Sequence, residues 1–181
     1  MPQTVLLVGT RKGCFVLESD DDRRDWEVRG PYCEGWPVYH AVHDADTGSI
    51  YAAAASEWHG AGVWRSTDLG ENWELSSEGL TFGDDGGLKL SKVSGLTAAH
   101  GRVLVGAEAA GIFESGDGGA TWSLISTLDG QPGRDAWNDP ANQPPGHLGV
   151  PAILPHPDDA SRFWAIVQGF GIFETTDDGA T

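Results

Sequence analysis

Lysine is nearly missing from this 181-residue chain: it occurs only at Lys12, Lys89 and Lys92. With 11 basic residues against 27 acidic ones the net charge is −16, and no basic run interrupts it. A phosphate backbone meets repulsion on such a surface, so nucleic-acid binding is excluded as an expectation, as is peripheral attachment to anionic lipid. Self-repulsion of this size is relieved by screening, so the acidity reads as a solvated soluble surface or as adaptation to high salt. Long hydrophobic runs are lacking too. The longest, Val5 to Val8 and Ile50 to Ala55, are far too short to cross a bilayer. No charged-then-apolar leader precedes them, so the expected location is the cytoplasm. The two cysteines, Cys14 and Cys33, make no framework and read as reduced thiols, with a disulfide as the alternative.

What is abundant is glycine, 26 residues, together with 8 tryptophans, a mixture that suits short strands and tight turns. The chain also repeats itself. GVWRSTDLGENW from Gly62, GIFESGDGGATW from Gly111 and GIFETTDDGAT from Gly171 align without gaps. A looser copy, GCFVLESDDDRRDW, starts at Gly13, so the steps are 49, 49 and 60 residues. Each copy follows an apolar run with strand character, and three of those runs follow another (Val38 to His43, Val93 to Ala98, Val150 to Leu154). A further short strand follows the tryptophan, as in Trp73-Glu74-Leu75. The unit is four short strands, A to D. Strands B and C are apolar at consecutive positions (Val63-Trp64, Ile112-Phe113), which predicts sheets covered on both faces. An all-β fold, a β-propeller of four-stranded blades, satisfies this, with a β-sandwich as runner-up.

Within each repeat a Ser or Thr (Ser66, Ser115, Thr175) precedes Asp by two residues (Asp68, Asp117, Asp177). Gly follows two further on (Gly70, Gly119, Gly179), and in two copies Trp closes the set (Trp73, Trp122). Short polar side chains can bond turn amides there and glycine can take a positive φ. This S/T-x-D-x-G-x-x-W pattern resembles the Asp-box, or BNR repeat. That repeat occurs in sialidases, sortilin-type ectodomains, a photosystem II assembly factor and many bacterial or archaeal propellers, including YVTN-type ones. The opening VLLVGTRKGCFVL and GWPVYHAV are similar to a subgroup labelled sialidase-like or glycosyl-hydrolase-like. The resemblance implies a structural role for the boxes, on the C–D turns away from any ligand. It implies no cofactor. The alternate carboxylates of a calcium loop are lacking in these boxes.

The expected organisation is a first blade at about 4–30 without its own strand A, then blades at about 37–78, 92–127 and 149–181, the last truncated. About three blades' worth of chain cannot close. It is therefore expected to be the N-terminal fragment of a ring of six or seven blades whose C-terminus returns to complete the first.

Antiparallel order puts the A–B and C–D turns on one rim and the B–C and D–A loops on the other, where irregular segments and hence binding are expected. The B–C loops carry Arg11, Lys12, Glu57, Trp58, His59, Glu108, Gln168 and Phe170. The D–A loops carry Tyr32, Glu34, Trp36, Asp84, Asp85 and Lys89, then Arg134, Asp135, Trp137, Asn138, Asp139 and His147. The ligand-binding candidates among them are Arg11, Lys12, Tyr32, Trp36, Glu57, Trp58, His59, Arg134, Trp137 and His147. Trp36 and Trp137 read either as loop anchors or as stacking platforms for a sugar. His59 reads as a solvated loop histidine or as an acid–base group beside Glu57. His40 and His43, three apart on a strand, face opposite sides and make no metal clamp. The arginine triad, F-R-I-P motif and marked tyrosine nucleophile of true sialidases are missing. Two functions of different class follow. One is a non-catalytic scaffold binding a polar small molecule, a glycan or a protein through the long-loop rim. The other is an exo-sialidase-like glycoside hydrolase whose catalytic set later blades complete.

Overall fold

The computed structural model describes residues 4–83, 88–138 and 148–181. They build four antiparallel sheets in chain order, and every hydrogen-bonded strand pair joins sequence neighbours. The first sheet holds β1 (Thr4–Thr10), β2 (Gly13–Ser19) and β3 (Glu27–Tyr32). The second holds β4 (Val38–His43), β5 (Ile50–Ser56), β6 (Gly60–Ser66) and β7 (Glu74–Ser76). The third holds β8 (Val93–Ala99), β9 (Arg102–Ala107), β10 (Ile112–Ser115) and β11 (Ser123–Ser126). The fourth holds β12 (Ala152–Pro155), β13 (Phe163–Val167) and β14 (Gly171–Thr175). A single 3-10 turn, Arg134–Asn138, interrupts the loop before β12 among the described residues.

Successive sheets lie side by side: β4 touches β1 and β8, and β8 touches β12. Small residues make this approach possible. Ala52 to Ala55 on β5 are buried on both faces, and a Cβ placed on Gly106 would sit 2.1 Å from the Val150 carbonyl oxygen. Between these close contacts, larger side chains fill three cores, each spanning a pair of neighbouring sheets. The first and second sheets share Cys14, Cys33, Trp36 and Val38, with both cysteines buried and unbridged. The second and third share Tyr51, Val63, Leu96, Phe113 and Trp122. The third and fourth share Ile112, Trp137, Val150 and Phe163. Covering both faces is why consecutive apolar residues appear on the inner strands. The covering stops at the two ends. Leu6, Leu17 and Val28 share one face of the first sheet, where Val28 is 59% exposed, and Ile172 on the fourth is 68% exposed.

The repeated turns follow β6, β10 and β14, and all three use one hydrogen-bond scheme. The hydroxyl of Ser66, Ser115 or Thr175 is buried and accepts the N–H of Gly70 (2.8 Å), Gly119 (2.7 Å) or Gly179 (2.9 Å). That hydroxyl donates to Asp68, Asp117 or Asp177 at 2.7–2.8 Å. The carboxylate then accepts the amide four residues on: Asn72 and Thr121 at 2.9 Å, Thr181 at 3.0 Å. Each glycine has positive φ and lies where the turn meets another side chain: Gly70 over Val16, Gly119 over Tyr51, Gly179 near Ile125 and Phe163. The tryptophans diverge. Trp73 donates its indole N–H to Gly70 O at 2.9 Å, whereas Trp122 donates to the Ser76 hydroxyl of the second sheet at 3.0 Å. Both bonds satisfy the indole, and the second also ties two sheets together.

These bonds favour ionised carboxylates. The Asn72 amide and side chain and the Ser66 hydroxyl hold Asp68 down at about 2, and Thr121 and Ser115 likewise lower Asp117. A depressed native pKa contributes stability that is complete above the unfolded value near 4 and disappears as pH falls through the native one. Asp68→Ala should therefore melt lower than wild type at pH 7. The difference should shrink between pH of about 4 and about 2. Thermal melts across that range check it, and a gap of constant size contradicts the assigned role.

Candidate functional site

The strand order places the β1–β2, β5–β6, β9–β10 and β13–β14 turns on one rim with the loops that connect sheets. These turns are short, so the irregular chain on this rim is almost all inter-sheet loop. Each such loop is fastened to a turn beneath it. Trp36, from the loop before β4, is buried and stacks on the His59 ring at 5.6 Å. Trp137 is buried, stacks on Phe170 at 4.8 Å and lies 5.2 Å from Phe173. Arg134 is 5% exposed, donates to the Thr127 and Ala109 carbonyls at 2.9 and 3.1 Å, and covers the Trp137 ring. These three candidates thus hold loops in place. Tyr32 is half-buried and packs against Trp73 at 5.9 Å.

The remaining candidates stand in solvent. Arg11, Lys12, Glu57 and His59 are exposed, and Trp58 is 89% exposed. Asp84, Asp85, Asp139 and His147 lie outside the described residues, as do the side chains of Asp135 and Asn138. His40 and His43 pair with Ala53 and Ile50, and the odd offset puts them on opposite faces of β4. His40 Nδ1 accepts the Leu96 N–H at 3.2 Å, and burial lowers its pKa, so it serves as a neutral acceptor between sheets.

The structure also gathers a group that spacing did not suggest. Glu108, buried in the β9–β10 turn, takes the Lys92 ammonium on one carboxylate oxygen at 2.9 Å and the Ser91 hydroxyl on the other. The Lys92 ammonium sits 4.9 Å from the centre of the Tyr39 ring, which is 49% exposed on β4. Glu108 N–H donates to the Lys92 carbonyl at 2.9 Å, locking loop to turn. The result is a fixed cation between a carboxylate and an accessible aromatic ring. Such a surface can stack a planar or pyranose face on Tyr39 while Lys92 and Ser91 orient polar groups. It presents one buried carboxylate, whereas glycoside hydrolysis ordinarily takes two.

No protein-family model matches this chain, and no curated protein matches it. Solved structures do. The GH74 xyloglucanase from Xanthomonas campestris superposes with a TM-score of 0.67 at 17% identity, over 99% of this chain and 26% of that one. YCF48 bound to D1 peptide superposes with a TM-score of 0.61 at 16% identity, over 97% of this chain and 47% of that one. This chain therefore spans about a quarter of the first and under half of the second. Likeness at this level carries the fold: the four sheets are a partial β-propeller. Among the described residues no helix is long and apolar enough to cross a membrane.

Proposed function

We propose that this chain is an Asp-box propeller that serves as a binding scaffold, with the rim of inter-sheet loops taking a glycan, another polar small molecule or a protein segment. The observation that carries this is the Tyr39–Lys92–Glu108 group, a rigid polar–aromatic surface on the same rim as the exposed Trp58. The shared hydrogen-bond scheme of the three turns supports the Asp-box part. Two propeller neighbours, a GH74 xyloglucanase and YCF48 bound to D1 peptide, support glycan and protein segments as the ligand classes to test. The second reading, a glycoside hydrolase, is favoured by the burial of Glu108 and needs a second carboxylate beside it.

The test is binding of xyloglucan oligosaccharides and of a peptide library to wild type, Tyr39→Ala and Trp58→Ala, with release of reducing sugar measured alongside. Each aromatic truncation is expected to weaken binding by roughly tenfold, the order expected for one lost ring contact. Melting should change little. Unaltered affinity in both variants moves the site to another surface. Sugar release that disappears in Glu108→Gln establishes the hydrolase instead.

A further inference from the structure

The residue just before the turn hydroxyl is Arg65, Glu114 or Glu174 in the second, third and fourth sheets, and Glu18, before Ser19, holds the corresponding place in the looser first copy. Three of these are carboxylates with an arginine partner. Glu18 pairs with Arg29, Glu114 with Arg102 at 2.6 Å, and Glu174 with Arg162 at 2.6 Å. The second sheet reverses the charge and supplies no partner. Arg65 makes no ion pair among the described residues, and its Nε is buried without a hydrogen-bond acceptor. Glu74 stands directly across on β7 but is exposed and does not reach it. The end of the guanidinium lies beside Gly118, where a built Cβ would be 3.5 Å from its Nη2.

Arg65 faces a groove of about 390 Å³ between β7 and the box turn of the third sheet, bordered by Glu74, Ser76, Ser77, Glu78 and Gly119. A buried N–H without an acceptor is costly, and a guanidinium offers two parallel donors that match a carboxylate. We infer that this groove, on the rim opposite the loop site, binds a carboxylate group of a ligand, with Arg65 as the residue that recognises it. The neighbourhood selects the charge as well. Glu74 and Glu78 flank the groove and the whole chain carries −16, so a dianion such as phosphate is repelled more strongly there than a singly charged carboxylate. In the third and fourth sheets the residue at this place is neutralised within its own sheet, and Arg65 is not.

The ligand carboxylate can belong to a small acid or to an acidic residue of a polypeptide, and one titration separates them. The Arg65 Nε–H and the Ser77 and Gly119 amides are followed by NMR in the whole chain. Sodium acetate, the blocked tripeptide acetyl-Gly-Asp-Gly-amide and sodium phosphate are each added at ionic strength matched with sodium chloride. Saturable shifts at all three groups are expected with acetate and with the tripeptide, and none with chloride. A tripeptide that binds several-fold tighter assigns the site to polypeptide; equal or weaker binding assigns it to small acids. Arg65→Gln should lose at least about tenfold in affinity, as removal of a charge-assisted pair requires, and Glu74→Gln should gain. The inference is overturned by shifts that stay linear and match chloride, by phosphate binding tighter than acetate, or by affinity retained in Arg65→Gln. It is also overturned if the Arg65 Nε–H reports a bond to Glu74 in the free protein. The wild-type signal decides the matter even if the variant fails to fold, and loss of the loop-rim site leaves this result unaffected.

Discussion

Gly79→Ala is expected to lower stability by about 2–5 kcal/mol, combining the left-handed backbone cost of a side chain with overpacking. Gly79 has φ +81°, and a Cβ there would sit 1.9 Å from the backbone oxygen of Trp122. The neighbouring chain has nowhere to retreat. Trp122 N–H donates to the Glu78 carbonyl at 2.9 Å, and its indole is tied to Ser76 at 3.0 Å. The loop after β7, which joins the second and third sheets, is thus pressed against the repeated turn of the third sheet at backbone level. With domain stabilities of roughly 5–15 kcal/mol, a loss of this size is a large share of the total. Urea denaturation of wild type and Gly79→Ala measures it. A midpoint within error of wild type contradicts the close approach.

Phe113→Ala is the second large effect, expected at about 3–5 kcal/mol from lost transfer energy plus the cavity left behind. Phe113 is fully buried on β10, packs on Phe82 at 5.4 Å between ring centres, and belongs to the core shared by the second and third sheets. Phe82 comes from the loop after β7, so the cavity also removes what holds that loop down. Phe113→Leu keeps most of the volume and should recover more than half of the loss. Equal destabilisation by both replacements points to a specific ring contact rather than to filled space. Calorimetric melting separates the cases.

The sheets were legible because strand and turn chemistry are local: Ser66, Asp68 and Gly70 lie within one turn, and their spacing announces the hydrogen bonds they make. The sorting of loops onto rims followed from antiparallel order alone. The roles of loop residues depended on contacts between distant segments, which no spacing records. Arg134, one of the ligand-binding candidates in sequence, donates to the Thr127 and Ala109 carbonyls, a bonding pattern that its spacing does not announce. Lys92 and Glu108 meet only because the loop before β8 folds over the β9–β10 turn. Trp73 and Trp122 occupy the same repeat position, yet one bonds its own turn and the other a neighbouring sheet. The reversed charge at Arg65 was visible in the aligned repeats. Its isolation became visible only once the partners of Glu18, Glu114 and Glu174 were in place.

Pairing restricted to sequence neighbours has a kinetic consequence. All-β chains usually fold slowly because distant segments must find each other before any contact rewards the search. Here each ladder closes through a short connection between sequence neighbours, so the entropy of bringing strands together stays small. A sheet can zip up from its own segment of chain, but its faces remain wet until a neighbour forms against them. Folding is then expected to spread from one sheet to the next, beginning at the pair that shares Tyr51, Phe113 and Trp122, a large core of bulky side chains.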